Sequence, residues 1–342
     1  MKDSPSASKL IPASRPAPRG WERGKGWGPW GEADEVGALN GISPEIVQYT
    51  LHTTIQNGAV YDLDPGRRNG MAVHWFHPPY TIARYRYPPG VRVEFGFRNA
   101  DVADTNPRGQ SGMNELVISS QHSGAHVDAL CHITVASYPG KRSDAEDDYY
   151  YNGLSVRENV GDFGVKKADI ASTPPIVTRG VLLDLYGFFQ AQGEESRFEV
   201  DFEVTPDHLR ATLEWQGAEI YPGDSVLLRT GCMRDWGDWA KVAEWCRHQV
   251  GPGREGAEWL VLEKGAVFLG ADTMGLEHQP PAPHQGPDPV HAFLLVEQGV
   301  HIGEMFWLED LARDRAYEFA FIVSPLKLHG ATGSMVRPIA IT

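Results

Sequence analysis

The chain has 342 residues, 41% hydrophobic, 22% charged and 10% aromatic, a balance that fits a globular protein with a substantial core and excludes fibrous and wholly disordered ones. Lysine and arginine number 31 against 45 acidic residues, giving a formal charge of −14, so nucleic acid is not expected as a partner. No apolar run approaches the roughly 18 residues of a membrane span and the N-terminus has no apolar signal core, so a soluble, cytoplasmic protein without a membrane partner is expected.

The first residues are rich in Ser, Pro, Ala and basic side chains and bury too little apolar surface to order themselves; residues 1–26 are read as a disordered tail and 27–342 as one domain. Ser43-Pro44-Glu45 combines an N-cap, a first-turn proline and an early acid, predicting a helix to about Tyr49. Strand-like runs follow at Val60–Leu63, Met71–Phe76, Val91–Phe97 and Glu115–Ser120. Thr205-Pro206-Asp207 opens a second helix to about Trp215, and a third is predicted from Trp239 to Val250, where apolar residues recur at helical spacing. Short apolar runs at Val181–Leu185, Val226–Leu228, Ala266–Leu269 and Phe319–Val323 predict buried strands. Strands and helices mix without a βαβ rhythm, so a single α+β domain is expected. No GxGxxG, GxxxxGK[ST] or GxSxG motif is present, which removes the usual support for nucleotide cofactors and serine hydrolases.

Three cysteines, Cys131, Cys232 and Cys246, are widely spaced and form no CxxC pair, so neither a disulfide framework nor a cysteine zinc site is indicated. Thirteen histidines are the compositional outlier, and histidine is both the commonest metal ligand and the side chain best suited to proton transfer near neutral pH. Residues 121–133 place His122, His126, Asp128 and His132 within eleven positions. A straight strand would spread the first and last about 33 Å apart, so convergence on one ion requires a bend, for which Gly124 provides the flexible point. A helix would send Asp128 to a different face from His122 and His126. A strand end turning through Ser123-Gly124-Ala125 is therefore predicted. Two imidazoles and a carboxylate form a common catalytic metal set with open coordination positions, leaving His132 for proton transfer.

His-Ser-Gly-Ala-His-Val-Asp-Ala-Leu-Cys-His (122–132) resembles the HxGTHxDxPxH signature of the cyclase, or kynurenine formamidase-like, metal-dependent hydrolases, a family that includes arylformamidase and isatin hydrolase. Ala125 and Leu130 stand where threonine and proline are usual, and neither is a ligand position. The resemblance extends through Trp30–Asn40, Val226–Gly231, His291–Leu295, Glu304 and Gly330–Pro338, and is strongest to the longer members. It implies a swivelling β/β/α fold, metal ligation by His122, His126 and Asp128 with His291 and Glu304 completing the site, and His132 as acid/base oriented by Glu304. It implies one or two Zn²⁺ or Mn²⁺ ions and a homodimer or homotetramer. The function read from this is hydrolysis of a small amide, cyclic amide or lactone by metal-activated water. The alternatives are a ring-closing cyclase or dehydratase on the same site, or a metal-stabilised protein that binds a small molecule without turnover.

Three further expectations concern the surroundings. Asp272, following a strand, is a candidate to organise the site, whereas His301 is read as structural. Trp75, Phe76, Tyr80, Tyr85 and Tyr87, in a segment with His74 and His77, are candidates to select an aromatic or cyclic substrate. Asp144–Asp148, ahead of Tyr149-Tyr150-Tyr151-Asn152-Gly153, is read as a solvated acidic loop in preference to a lid.

Overall fold

The computed structural model describes residues 30–75, 77–87, 110, 112–136, 147–194, 198, 202–245, 248–281 and 288–342. The expected tail, the run Val91–Phe97, Phe76 and Cys246 lie outside them. Helix α1 (Pro44–Tyr49) starts as predicted, with the Ser43 hydroxyl accepting from the Ile46 amide at 3.4 Å. Strand β1 is Val60–Asp62, β2 Thr81–Arg86 and β3 Asn114–Ile118. Strand β4 (His126–Asp128) lies inside the histidine motif. Strands β5 (Ile176–Asp184), β6 (Ser225–Arg229), β7 (Phe268–Ala271), β8 (His301–Glu304), β9 (Glu318–Val323), β10 (Gly333–Met335) and β11 (Ile339–Ile341) follow.

Nine of these form one sheet, in the order β1-β11-β9-β5-β6-β7-β8-β4-β10. Strands β5 to β8 are mutually parallel, and every other neighbouring pair is antiparallel. The parallel centre explains the composition of β5 and β6. Nearly every residue of Ile-Val-Thr-Arg-Gly-Val-Leu-Leu-Asp and all of Ser-Val-Leu-Leu-Arg are buried, because both faces of a covered parallel sheet are dry. Phe268, Phe306, Phe319 and Phe321 fill the interior with fully buried rings. Burying a Phe side chain contributes roughly 1.5–3 kcal/mol, so this aromatic block is a main source of stability.

The strand predicted at 71–76 is not formed: its described residues are irregular chain, followed closely by Pro78 and Pro79, which have no amide to donate to a ladder. The predicted helix from Trp239 stops at Glu244, and Val250 joins a separate short segment next to Gly251–Pro252. Helix α2 (Pro206–Gln216) has the predicted start, with Thr205 and His208 capping each other. Two further helical segments change character midway. Arg254–Glu258 is α-helical and widens to π-helical turns over Trp259–Glu263, and Pro289–His291 does the same over Ala292–Gln298. No helix among the described residues is long and apolar enough to cross a membrane.

A candidate metal centre

The site forms where the parallel block of the sheet meets its antiparallel edge. Strand β8 runs antiparallel to β4 in a register that sets Glu304 opposite His126 and Ile302 opposite Asp128. Strand β10 covers the other side of β4, with Met335 opposite His126 and Gly333 opposite Asp128. Alternation along β4 sends His126 and Asp128 to one face and buried Val127 to the other. His122 reaches them because the chain bends just before β4, where Gly124 adopts φ +65°. His132 returns through a tight turn closed by its amide donating to the Ala129 carbonyl at 3.0 Å. The predicted bend is therefore present, and it lies at the start of a strand.

His122, His126, His132, His291 and Glu304 line one cavity of about 80 Å³, and Asp128 is hydrogen-bonded to His122 in its wall. The expected His122–His126–Asp128 triad is divided between two donor groups, each with its ligand atoms within 4.8 Å of one another: His122, Asp128 and His132, and His126, Asp128 and Glu304. Asp128 belongs to both. Its Oδ1 accepts from His122 Nδ1 at 2.7 Å and lies 3.6 Å from His126 Nε2. Its Oδ2 is wholly buried and has no hydrogen-bond partner among the described residues. A buried, unsatisfied carboxylate oxygen is costly unless a cation or donor completes it. This orphaned acceptor, ringed by imidazoles, suits a divalent cation.

The remaining contacts fix the ring orientations. His126 Nδ1 donates to the Gly124 carbonyl at 2.7 Å, which turns Nε2 towards Glu304 Oε2 at 3.1 Å. His291 Nε2 meets Glu304 Oε1 at 3.1 Å, while its Nδ1 donates to Glu277. Glu277 also accepts the Val290 and His291 amides at 2.9 and 3.0 Å, so it holds both the helix start and the ring. His122 Nε2 accepts from the Thr332 hydroxyl at 2.9 Å, and Gly333 lets β10 approach, since a Cβ there would lie 2.6 Å from the His122 ring.

One expected contact is absent from these. Glu304 does not orient His132, because its two oxygens go to His126 and His291. It lies on β8 opposite His126, whereas His132 sits beyond the end of β4 and stacks on His122 with ring centres 4.0 Å apart.

Burial and the neighbouring carboxylates divide the rings into two pairs. Burial drives His122 and His132 down to about 3, so both are neutral at pH 7 and able to accept a proton or bind a cation. Burial acts the same way on His126 and His291, but the hydrogen bonds that both rings donate to Glu304, and that His291 donates to Glu277, outweigh it and hold both above the usual range. Burial alone would raise Glu304, yet the same two imidazoles hold it low, while Asp128 is raised by burial. The Cys131 thiol, beside His132 in sequence, is pushed up to about 12 by burial and stays protonated, leaving a donor set of nitrogen and oxygen.

Other candidates fall elsewhere. Asp272 is buried, but its carboxylate accepts the Thr230 amide and hydroxyl and the Gly231 amide at 2.7–2.8 Å, so it organises the turn after β6 and not the histidine cluster. His301 is structural, as expected, bonding Thr173 at 3.0 Å. Among the described residues, the cavity wall is completed by His74, His77, Ile133, Met274 and Asp288, with no Trp, Tyr or Phe. Trp75 and Tyr85 are 77% and 63% exposed. Their histidine neighbours face the site instead, with the His77 ring parallel to that of His122 at 5.3 Å. Residues 144–146 of the acidic loop lie outside the described residues, while Asp147 accepts from Ser155 and the Arg157 amide.

Glu277, Thr332, His77 and Asp288 were not singled out as site residues by the sequence. Glu277 had a possible signal, lying fourteen residues before His291, but no spacing rule links a carboxylate to a ring across a loop. The segment Trp30–Asn40 proves structural: Asn152 donates to the carbonyls of Gly31, Glu32 and Asp34, and Tyr151 donates to Asp34 at 2.5 Å.

Known structures share this architecture. One described as a novel cyclase is 25% identical, aligns over 92% of this chain and 96% of its own, and superposes with a TM-score of 0.73. Isatin hydrolase A from Ralstonia solanacearum is 19% identical over 84% of this chain and 93% of its own, with a TM-score of 0.59. An isatin hydrolase bound to the product analogue thioisatinate is 18% identical, covering 86% and 95%, with a TM-score of 0.57. The last two likenesses establish the fold, a single α+β domain of the cyclase type. No match is found among curated proteins. A family profile described as "Putative cyclase" matches residues 42–278, more than half of the sequence and including the whole histidine motif. The chain belongs to the Cyclase family.

Proposed function

We propose that the protein is a metal-dependent hydrolase that cleaves a C–N or C–O bond in a small amide, cyclic amide or lactone. The observation that carries this reading is Asp128 Oδ2, a buried carboxylate oxygen without a hydrogen-bond partner among the described residues, inside two donor groups that share its side chain. His122 and Asp128 would hold one divalent ion, with His132 beside it and free for proton transfer, and His126, Asp128 and Glu304 would hold another, with His291 beside the second. A nitrogen and oxygen donor set suits Zn²⁺ or Mn²⁺. The chemistry such an ion supplies when bound is Lewis acidity, which polarises a carbonyl and acidifies water.

The chain's own groups do the rest. Glu277 fixes the His291 ring, and the Gly124 carbonyl fixes that of His126, so the lone pairs needed for ligation point inward once their protons leave. His132, neutral and partly open to the cavity, takes a proton at its ring nitrogen from water and returns it to the departing nitrogen or oxygen. Ile133 and Met274 offer apolar contact to the substrate, and His74, His77 and Asp288 offer polar contact.

The test measures metal content and hydrolysis of arylformamides, isatin-like lactams and lactones before and after chelation. Loss of activity on chelation and recovery with Zn²⁺ or Mn²⁺ are expected. Activity indifferent to chelator, or an intact protein that takes up no metal, refutes the reading. His132→Ala separates catalysis from binding: turnover should fall by about 10²–10⁴ with metal retained, whereas an unchanged rate removes His132 from the chemistry.

A further inference from the structure

Between His122 and His126, the residues Ser123, Gly124 and Ala125 are buried, and their carbonyls have little access to water. Gly124's carbonyl is used by the His126 ring. The carbonyls on either side are taken by one distant side chain. Arg67 Nε donates to the Ser123 carbonyl at 2.7 Å, and Arg67 Nη2 donates to the Ala125 carbonyl and, at 3.1 Å, to that of Val336. Arg67 Nη1 is held in turn by Asp64 Oδ2 at 2.8 Å. The fork therefore ties the turn carrying His122 and His126 to the Asp64–Arg67 loop and to the chain leaving β10, whose Val336 amide also donates to Ala125 at 2.9 Å.

The motif glycine belongs to the same arrangement. A Cβ at Gly124 would lie 3.0 Å from Arg67 Cγ and 3.1 Å from its Nε, so the guanidinium and its stem pack against the face that glycine leaves open. Gly124 is thus required by its positive φ and also by the approach of Arg67.

The geometry assigns Arg67 as the positioning residue of the metal-binding turn: by gripping the carbonyls on both sides of Gly124, it fixes the Gly124 carbonyl that orients His126. This deepens the metal reading above and rests on it for the affinity measurement alone. Lysine cannot replace Arg67, because an ammonium keeps the charge but lacks the planar fork that meets carbonyls at different positions.

The decisive comparison is Arg67→Lys against the unaltered protein, in two measurements. The first is the ring ¹⁵N spectrum of the histidines in metal-free protein, with His126 assigned by His126→Gln. The unaltered protein should show a protected Nδ1 proton on His126, and Arg67→Lys should lose that protection while far-UV circular dichroism is retained. The second is Zn²⁺ affinity, which should fall about 10–100-fold. Asp64→Asn, which leaves Arg67 in place but frees one arm of its fork, should shift both readouts in the same direction by less, and it serves if Arg67→Lys does not fold. A His126 ring proton unchanged in both variants, with only the melting temperature lowered, overturns the assignment and leaves Arg67 as a strut. If the unaltered protein binds no Zn²⁺, the metal reading fails, while the ring spectrum still decides the role of Arg67.

Discussion

Two hollows in this molecule differ about tenfold in size, and the smaller one gathers the residues of the candidate metal centre. The larger, of about 840 Å³, is lined by Thr230, Cys232, Arg234, Lys241, Trp245, His248 and neighbours. Its charges are satisfied locally: Lys241 pairs with Asp235 at 2.8 Å, and Arg234 Nε donates to the Gly231 carbonyl at 2.9 Å. The histidine cavity has about 80 Å³, yet it brings together buried carboxylates and imidazoles, and the Asp128 Oδ2 acceptor among them has no donor among the described residues. Trp245 of the larger hollow and Met274 of the smaller pack into one apolar cluster with Met233, Val242 and Met305. Volume alone would have chosen the other hollow. Convergence of buried titratable groups is the better guide, because burying them is expensive and persists where something compensates the cost.

The strongest way to break this comparison is Asp128→Asn. Removing the one carboxylate common to both donor groups should abolish metal uptake and lower turnover more than about 10³-fold, read by metal analysis and initial rates. Retained metal would show that the two groups do not depend on their shared member. Glu277→Gln keeps the shape but weakens the grip on His291, and should cost about 10–100-fold in metal affinity by calorimetry.

Acid offers a test of burial away from both hollows, at the structural His301. Burial pushes His301 down to about 3 in the folded protein, whereas in the unfolded chain it titrates near 6.5. Between those values the unfolded chain binds a proton that the folded one does not, so this contribution is complete above pH 6.5 and is lost as the pH falls towards 3. The slope should be up to about 1.4 kcal/mol per pH unit from this group, measured by denaturant unfolding of metal-free protein and reduced in His301→Gln. The smallest effect is expected in the larger hollow: Lys241→Ala removes an exposed pair, screened by solvent, and should leave both the unfolding midpoint and turnover nearly unaltered. A clear loss of turnover there would give that hollow a part in the reaction.

Local sequence was enough to locate the metal motif. His122, His126, Asp128 and His132 lie within eleven residues, and only a bent chain can bring them together, so the turn at Gly124 followed from spacing and backbone freedom. His291 and Glu304 carried no such local signal; family resemblance pointed to them, and the register of β8 against β4 brought Glu304 to His126. The same register explains why Glu304 serves His126 and His291 and not His132. The aromatic segment shows the opposite failure. Hydrophobicity marked Trp75 and Tyr85 as candidate contacts, but the side chains that reach the cavity are their neighbours His74 and His77, because the orientation of an irregular loop is decided by what it packs against.

The sequence by itself determined the α+β character, the helix starts at Ser43 and Thr205, the buried strands of the parallel block and the donor types of the centre. Those features depend on capping, apolar patterning and spacing within a dozen residues, which are written locally. Tertiary structure decided how the donors are shared, because Asp128 becomes common to two groups only when β4 is flanked by β8 and β10. It also decided which distant residues support them. Arg67 reaches across 56 positions to Ser123 and 269 to Val336, and Thr332 reaches across 210 to His122. No periodicity encodes contacts of that range; they arise when the sheet closes and buried carbonyls and ring nitrogens must find partners without water.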